Sequence, residues 1–291
     1  MPIDVSAVRP EKARGVFGTE RVFSAADWIV FLFLSILRIA AMAWFFFFWF
    51  SFPSWHDDVL ILAGTTLLLL LGLLGNQLRW IALPCMTRPS PVEAQPGLRV
   101  AAVATCVPSL EPPEMIEATL RAIKKLGYPN DTWLLDEDDS PAMRALCDLL
   151  GVWHFSRKNQ PRYLSESGRF ARHSKHGNYN AWLHEVGFAQ YDYMLAFDPD
   201  HIPSPEYASS VLGYFQDDRI AYVQTPQVYR NQAESLVARG AAEEIYAYNS
   251  ITEMAAFAAG APVLIGCHSA QRLAALRDFG GLPAHAAEDL L

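Results

Sequence analysis

Two long apolar runs lie near the N-terminus, and a different periodicity takes over behind them. From Trp28 to Phe52 the chain reads WIVFLFLSILRIAAMAWFFFFWFSF, with Arg38 as its only charge. Roughly 20 apolar residues in a helix span a bilayer, so this run predicts a transmembrane helix over 28–52. A second run, VLILAGTTLLLLLGLLGNQLRWIAL over 59–83, ends with Arg79 and Trp80, where interfacial anchors belong. Together the two predict a transmembrane hairpin. The first run exceeds a signal-peptide core and no small-residue cleavage site follows it, which favours an anchor over a removed leader. No second charge accompanies Arg38 in mid-span, so its side chain is expected to snorkel or to face the partner helix.

The flanks set the orientation. Arg9, Lys12, Arg14 and Arg21 precede the first span, and Arg79, Arg88 and Arg99 follow or close the second, while the connecting PSWHDD has no Lys or Arg. The positive-inside rule then puts both ends of the hairpin in the cytoplasm. Residues 1–27 read as a cytoplasmic segment and 84–97, PCMTRPSPVEAQPG with its four prolines, as an extended linker. Residues 98–291 form a soluble, domain-sized remainder.

Within that remainder short apolar runs alternate with helical spacing. Strands are predicted at 98–105, 132–139, 153–158, 191–200 and 220–229, and helices at 112–129, 140–151, 177–189 and 205–215. Such alternation predicts an α/β fold, a mostly parallel sheet covered by helices on both faces. Ligands gather at the carboxyl ends of the strands in such sheets.

Composition sharpens this picture at three points. The 23 basic and 31 acidic residues leave a net charge of −8, which argues against a nucleic-acid partner. The four cysteines, at 85, 106, 147 and 267, contain no CxxC pair, so neither a structural zinc site nor a disulfide framework is expected and a reducing compartment fits. Six basic residues (Arg157, Lys158, Arg162, Arg169, Arg172 and Lys175) are opposed only by Glu166 within 157–176. A loop of that charge beside metal-holding carboxylates suits a diphosphate leaving group.

The carboxylates stand at predicted strand ends. Asp136, Glu137, Asp138 and Asp139 end one strand, and Asp198 and Asp200 another. An Asp-x-Asp after an apolar strand puts two carboxylates on one side of the chain, a hard oxygen set suited to Mg²⁺ or Mn²⁺ held together with a diphosphate. Lys175 stands in KHGNYN, where Gly177 permits close backbone approach and a helix beginning just after it offers N–H groups to an anion. Near the end, VLIGCHSAQRLAALRDFGG is followed by Ala287, Glu288 and Asp289, a second acidic pair able to take a proton from a hydroxyl.

The ordered set LLDEDD, KHGNYNA, FDPDHIP, VQTPQVY, GCHSAQRLAAL-x-x-FGG and AEDLL resembles the family 2 processive-type glycosyltransferases, the group of bacterial cellulose synthase catalytic subunits. The resemblance covers roughly residues 98–291. It implies a GT-A-like nucleotide-diphospho-sugar transferase fold behind the hairpin, and an inverting, metal-dependent hexosyltransferase in the inner (cytoplasmic) membrane with its catalytic domain in the cytoplasm. The implied partners are a nucleotide-diphospho-sugar donor, expected to be a UDP-sugar, and a hydroxyl acceptor on a glycan or lipid, and the implied cofactor is Mg²⁺ or Mn²⁺. By matching motifs, Asp136 contacts the base, with Asp138 or Asp139 assisting. Asp198 and Asp200 hold metal and diphosphate, Lys175 and Asn180 join the nucleotide site, and Asp289 is the general base. His201 divides evenly between packing and a place beside the metal.

Ala287 stands where the family has Thr, KHGNYN replaces a lysine-glycine-asparagine pattern, and the family's Gln-x-x-Arg-Trp acceptor motif does not occur before Leu291. The last point leads to the expectation of a fragment or truncated product. It also supports a second reading, a catalytically incomplete membrane protein that binds a nucleotide sugar or serves as a partner subunit. A nucleotidyltransferase ranks third, because TCVPSLEPP is acidic and proline-rich where that class needs a basic, glycine-rich loop.

Overall fold

The computed structural model describes residues 17–51 and 58–284. In chain order the elements are β1 (Thr19–Arg21), α1 (Ala25–Ser51), α2 (Val59–Ala82), β2 (Thr87–Pro89), β3 (Val100–Cys106), α3 (Pro113–Ile123), β4 (Asp131–Asp136), α4 (Pro141–Leu150), β5 (Trp153–Phe155), α5 (Lys175–Trp182), α6 (Phe188–Gln190), β6 (Tyr193–Phe197), α7 (Tyr207–Leu212), β7 (Tyr222–Gln224), α8 (Leu236–Ala247), α9 (Glu253–Ala258), β8 (Ser269–Arg272) and α10 (Leu273–Phe279). They fall into two compact units.

One unit comprises residues 19–89 and 228–262. Its helices α1 and α2 are long and apolar enough to cross a membrane. Polar side chains of the two helices find partners on each other. Trp80 Nε1 donates to Ser35 Oγ at 2.9 Å, and Trp49 Nε1 donates to Thr66 Oγ1 at 3.0 Å. The Arg38 guanidinium lies 4.9 Å from the centre of the Trp80 ring. It therefore faces the partner helix, one of the two placements expected for it, and the aromatic face supplies the attraction.

Two stretches differ from expectation. The linker over 84–97 is not wholly extended: a 3₁₀ turn covers Leu83–Cys85, and β2 pairs antiparallel with β1, because backbone N–H and C=O groups take partners wherever a second strand offers them. Residues 228–262, expected within the soluble domain, cluster instead with the apolar hairpin; α8, a π turn over Tyr248–Thr252 and α9 have few buried side chains of their own and pack on α2 and β2.

The other unit comprises residues 90–227 and 263–284 together with 17 and 18 among the described residues. Its six-stranded sheet has the order β5-β4-β3-β6-β8-β7. The first four strands are parallel, as the alternation predicts. The far edge is antiparallel: β8, in a stretch where no strand is predicted, inserts beside β6, and β7 closes the edge beside β8. The predicted strand at 220–229 shortens to three residues at that edge. The strand β3 is buried along its whole length, so successive side chains feed two cores. Ala102, Ala104 and Cys106 meet Ile116, Leu120 and Ile123 of α3, Met143 and Cys147 of α4, and Val211 and Leu212 of α7 on one face. Ala101 and Val103 join Tyr179 and Trp182 of α5 and Leu273 of α10 on the other. Helices on both faces are thus a consequence of an apolar strand with two buried sides.

The basic stretch over 157–176 is anchored by its first member. Arg157 is fully buried, and its guanidinium donates to both carboxylate oxygens of Glu137 at 2.8 and 2.9 Å. It also reaches the carbonyls of Tyr163, Phe170, Ala171 and Ser174 at 3.0–3.4 Å. This charge, expected to serve an anion, therefore holds the loop in place. Arg162 pairs with Glu185 at the surface, and Arg172 lies 3.5 Å from Glu166. Removing one partner of a buried pair strands the other, so Arg157→Met is expected to destabilise this unit by about 3–5 kcal/mol. The exposed Arg162→Met should stay within about 1 kcal/mol of wild type. Denaturant melts of the two variants in one detergent check the difference.

Candidate active site

The parallel strands β3, β4 and β6 deliver their carboxyl ends side by side, and the acidic residues follow directly. Asp198 comes one residue after β6. Its Oδ1 accepts from Lys175 Nζ at 2.6 Å, and its backbone N–H donates to His201 Nδ1 at 3.2 Å. Burial acts to raise the Asp198 pKa. The Lys175 charge and hydrogen bond, His201 and a hydrogen bond from Cys267 outweigh it and hold the carboxyl below the ordinary range. Asp200 is mostly exposed, and its Oδ1 lies 3.9 Å from His201 Nε2, the same distance that separates this nitrogen from Asp198 Oδ2. One ligand atom from each of Asp198, Asp200 and His201 lies within 4.8 Å of the other two. Two carboxylates and an imidazole fit a divalent ion such as Mn²⁺ or Mg²⁺.

Lys175 reaches this group because of how α5 begins. Ser174 caps the helix, its Oγ accepting from the Gly177 N–H at 3.1 Å, so the helix starts two residues earlier than predicted and that donor is already engaged. A Cβ at Gly177 would collide with the Ala171 carbonyl, the Arg157 guanidinium and Ser174 Oγ, so the glycine serves packing of the basic loop against the helix. Of the six basic residues, Lys175 is the one paired with the Asp198 carboxylate among the contacts described.

The other predicted residues divide. Asp138 stands two residues beyond β4, its Oδ2 accepting from the Ser109 N–H at 2.7 Å; a hydrogen bond from the Ser109 side chain, and then this one, lower its pKa. Asp136 is fully buried; its oxygens accept from the Asp138 and Ser140 N–H groups at 2.9 and 2.6 Å, and His154 Nε2 lies at 3.1 Å. It shapes the loop that carries Asp138. Asp139 pairs with Arg144 and has a φ of +55°, a turn conformation Asp tolerates. Asn180 is fully buried. Its amide donates to the Arg169 and Leu282 carbonyls at 3.0 and 2.8 Å, and its oxygen accepts from the Leu282 N–H at 2.7 Å. It pins the turn after α10. Glu288 and Asp289 lie outside the described residues.

Three residues at the site carried no assignment in the sequence. Glu111 accepts from the Val107 N–H at 2.9 Å; burial raises its pKa, with Asp198, Asp200 and Asp138 adding to the shift against that hydrogen bond. Cys267 and His268 enter just before β8. Its antiparallel register, Ala196 opposite Ser269, brings Cys267 level with Asp198. Burial and then His201 push His268 down to about 4, so its ring is neutral at pH 7. His268 has a φ of +41°, and its carbonyl is gripped by Thr225 Oγ1 at 2.6 Å and the Thr225 N–H at 3.3 Å. A bulky residue held in the left-handed region costs on the order of 1–3 kcal/mol, and such strain gathers at functional sites.

The pattern of Glycosyl transferase family 2 matches residues 105–280, more than half of the chain. The chain belongs to this family. The matched range contains Asp136, Asp138, Lys175, Asn180, Asp198 and Asp200. The chain is similar to the cellulose synthase catalytic subunit (UDP-forming) of Xanthomonas axonopodis pv. citri (strain 306), 28% identical over 174 residues that cover 55% of this chain and 22% of that protein. It is 27% identical over 119 residues to the corresponding subunit of Pseudomonas fluorescens (strain SBW25), covering 40% of this chain and 14% of that one. The chain thus spans about a fifth or less of the length of these relatives. Among solved structures, a mannosyltransferase from Pyrobaculum calidifontis in complex with GDP-Man and Mn²⁺ shares the fold with a TM-score of 0.50 at 16% identity, over 73% of this chain and 56% of that one. The sheet and its helices are the GT-A-like arrangement expected of the family.

The Lys175–Asp198 pair generates a prediction with a definite sign. The folded-state pKa of Asp198 lies below the unfolded value of about 3.9, so the stability it contributes is present above that value and lost as the pH falls through the folded pKa. Lys175→Met should therefore lower stability by about 1–3 kcal/mol at neutral pH. The gap to wild type should close as the pH falls below about 3.9, which thermal melts across an acid series would show.

Proposed function

We propose that this chain is the donor-binding and catalytic part of a membrane-anchored, inverting glycosyltransferase that moves a sugar from a nucleotide-diphospho-sugar, a UDP-sugar in the first instance, to a hydroxyl on a glycan or lipid. The observation that carries it is the convergence of Asp198, Asp200 and His201 at the carboxyl end of β6, with Lys175 on Asp198, inside a family 2 domain. Asp198 and Asp200 would hold a divalent cation, with His201 beside them. Such an ion supplies charge neutralisation at the diphosphate when bound. Lys175 adds a positive charge that the diphosphate would share with Asp198. Asp138 borders the base side of the donor, on the loop that Asp136 orders. The Mn²⁺ in the Pyrobaculum structure and the nucleotide in the name of the Xanthomonas relative support this assignment.

In the proposed reaction the acceptor oxygen bonds to the anomeric carbon as the bond from that carbon to the diphosphate oxygen breaks. The hydroxyl proton passes to Asp289, and the nucleoside diphosphate leaves. A single displacement inverts the anomeric centre and requires no protein nucleophile. The helices α1 and α2 would anchor the chain, and the basic flanks of the hairpin support a cytoplasmic site, on the side where nucleotide sugars are made.

Three outcomes check this reading. UDP should bind measurably only with Mg²⁺ or Mn²⁺ present, and Asp200→Asn should remove that dependence in titration calorimetry; equal affinity in a chelator would overturn the cation assignment. Asp289→Asn should reduce transfer on the order of 10²–10⁴-fold while leaving donor affinity nearly unchanged. A reporter in the 53–58 turn should be reached from outside the cell, and one fused after Leu291 should not.

A further inference from the structure

Beside the carboxylates lies a donor set of different chemistry. One ligand atom from each of His201, Cys267 and His268 lies within 4.8 Å of the other two. His268 Nδ1 is 3.1 Å from Cys267 Sγ, and the rings of His201 and His268 meet edge to face with centroids 5.4 Å apart. Cys267 and His268 are buried, His268 to all but 6% of its surface. The second ring nitrogen of His268, Nε2, is buried with no hydrogen-bond partner. An imidazole nitrogen left unsatisfied in the interior is unfavourable unless something else takes its lone pair or proton.

The backbone makes the arrangement persistent. The His268 carbonyl is tied to Thr225 by two hydrogen bonds, while Gln224 Nε2 donates to the Cys267 carbonyl at 3.1 Å. These bonds keep His268 at its φ of +41°, where a glycine would be relaxed. His201 is fixed from the other side by its own turn, its N–H donating to the Asp198 carbonyl at 3.1 Å. Two segments far apart in sequence thus present a thiol and two imidazoles to one point. Cysteine sulphur and histidine nitrogen select borderline-soft ions over Mg²⁺ or Ca²⁺.

The geometry points to a second cation site, made by His201, Cys267 and His268, that takes Zn²⁺ with three protein ligands and leaves a fourth position for water or an Asp198 oxygen. Binding replaces the thiol proton of Cys267, which leaves to solvent, so the sulphur coordinates as thiolate. Ligation through His201 Nε2 requires that ring to carry its proton on Nδ1, which exchanges the bond from the Asp198 N–H for a coordinate bond. His201 belongs to both donor sets, so zinc here draws it from the carboxylate pair. That last consequence rests on the glycosyltransferase reading, whereas the zinc site itself does not.

The test uses the full chain in detergent with Co²⁺ as a spectroscopic stand-in for Zn²⁺. The expected result is one equivalent of tetrahedral cobalt with a thiolate-to-cobalt charge-transfer band, displaced by Zn²⁺. Cys267→Ser should abolish the charge-transfer band. His268→Gly, which suits the local backbone, should weaken zinc in competition with a chromophoric chelator by more than the roughly 10–100-fold typical of losing an outer-shell partner. Asp200→Asn should leave the cobalt spectrum intact. X-ray absorption on zinc-loaded wild type, which needs no variant to fold, should show one sulphur and two imidazoles. A charge-transfer band that survives in Cys267→Ser, a zinc shell without sulphur, or wild-type zinc affinity in His268→Gly would overturn the site. Cation-independent UDP binding alongside the expected cobalt spectrum would remove only the assignment at Asp198 and Asp200.

Discussion

Negative charge gathered at the end of a sheet is the constraint on which the site depends. Glu111, Asp138, Asp198 and Asp200 lie near enough for three of them to shift the fourth, and the most buried of the Asp-x-Asp pair answers to Lys175. Like charges held together in a partly desolvated cleft raise one another's pKa values unless a cation intervenes. Glu111 is pushed upward, chiefly by burial and then by the neighbouring carboxylates, whereas Asp198 is held down. The difference between them is first the Lys175 ammonium group, to which His201 and a hydrogen bond from Cys267 add.

How Lys175 arrives there can be followed through the loop that precedes it. Arg157 is buried, neutralised by Glu137 at the end of β4, and its remaining N–H groups hold the carbonyls of Ala171 and Ser174. That fixes Ser174 as the helix cap, and Lys175 follows as the first residue of α5. Gly177 lets the loop close onto the helix without a Cβ in the way. A charge pair beneath the sheet end thereby sets the position of a charge at its surface. Apart from Glu137, the partners of Arg157 are backbone oxygens, so the arrangement depends on loop geometry more than on the identity of the loop's exposed residues.

Much of this was legible in the sequence, and the failures have physical reasons. The two apolar spans, the strand and helix alternation and the carboxylates after β6 are local patterns, and local patterns survive folding when every neighbour is also apolar. Asp198, Asp200 and Lys175 came together as expected because each sits at the terminus of a well-defined element. Arg157 was misassigned because a run of positive charge looks the same whether its members face water or a buried carboxylate. The bonds from Asn180 to Leu282 reach 102 residues along the sequence, which no local spacing can reveal. The strand β8 was missed since SAQR lacks the β-branched and aromatic residues that mark strands, and its pairing depends on β6 and β7 on either side.

The antiparallel insertion of β8 then matters beyond topology. A parallel strand at that position would present its own carboxyl end to the cleft, whereas β8 presents its amino end and, with it, Cys267 and His268. The residues entering β8 therefore meet those leaving β6, and thiol and imidazole groups come to stand against carboxylates. His268 breaks two local rules at once, a side chain at positive φ and a buried nitrogen without a partner. Departures from local consistency concentrate where a structure has a function to serve, since nothing else maintains them against mutation to a relaxed residue. Glycine would satisfy the backbone at 268 and leave no orphaned nitrogen, so the presence of histidine there is an argument for a ligand that uses its ring.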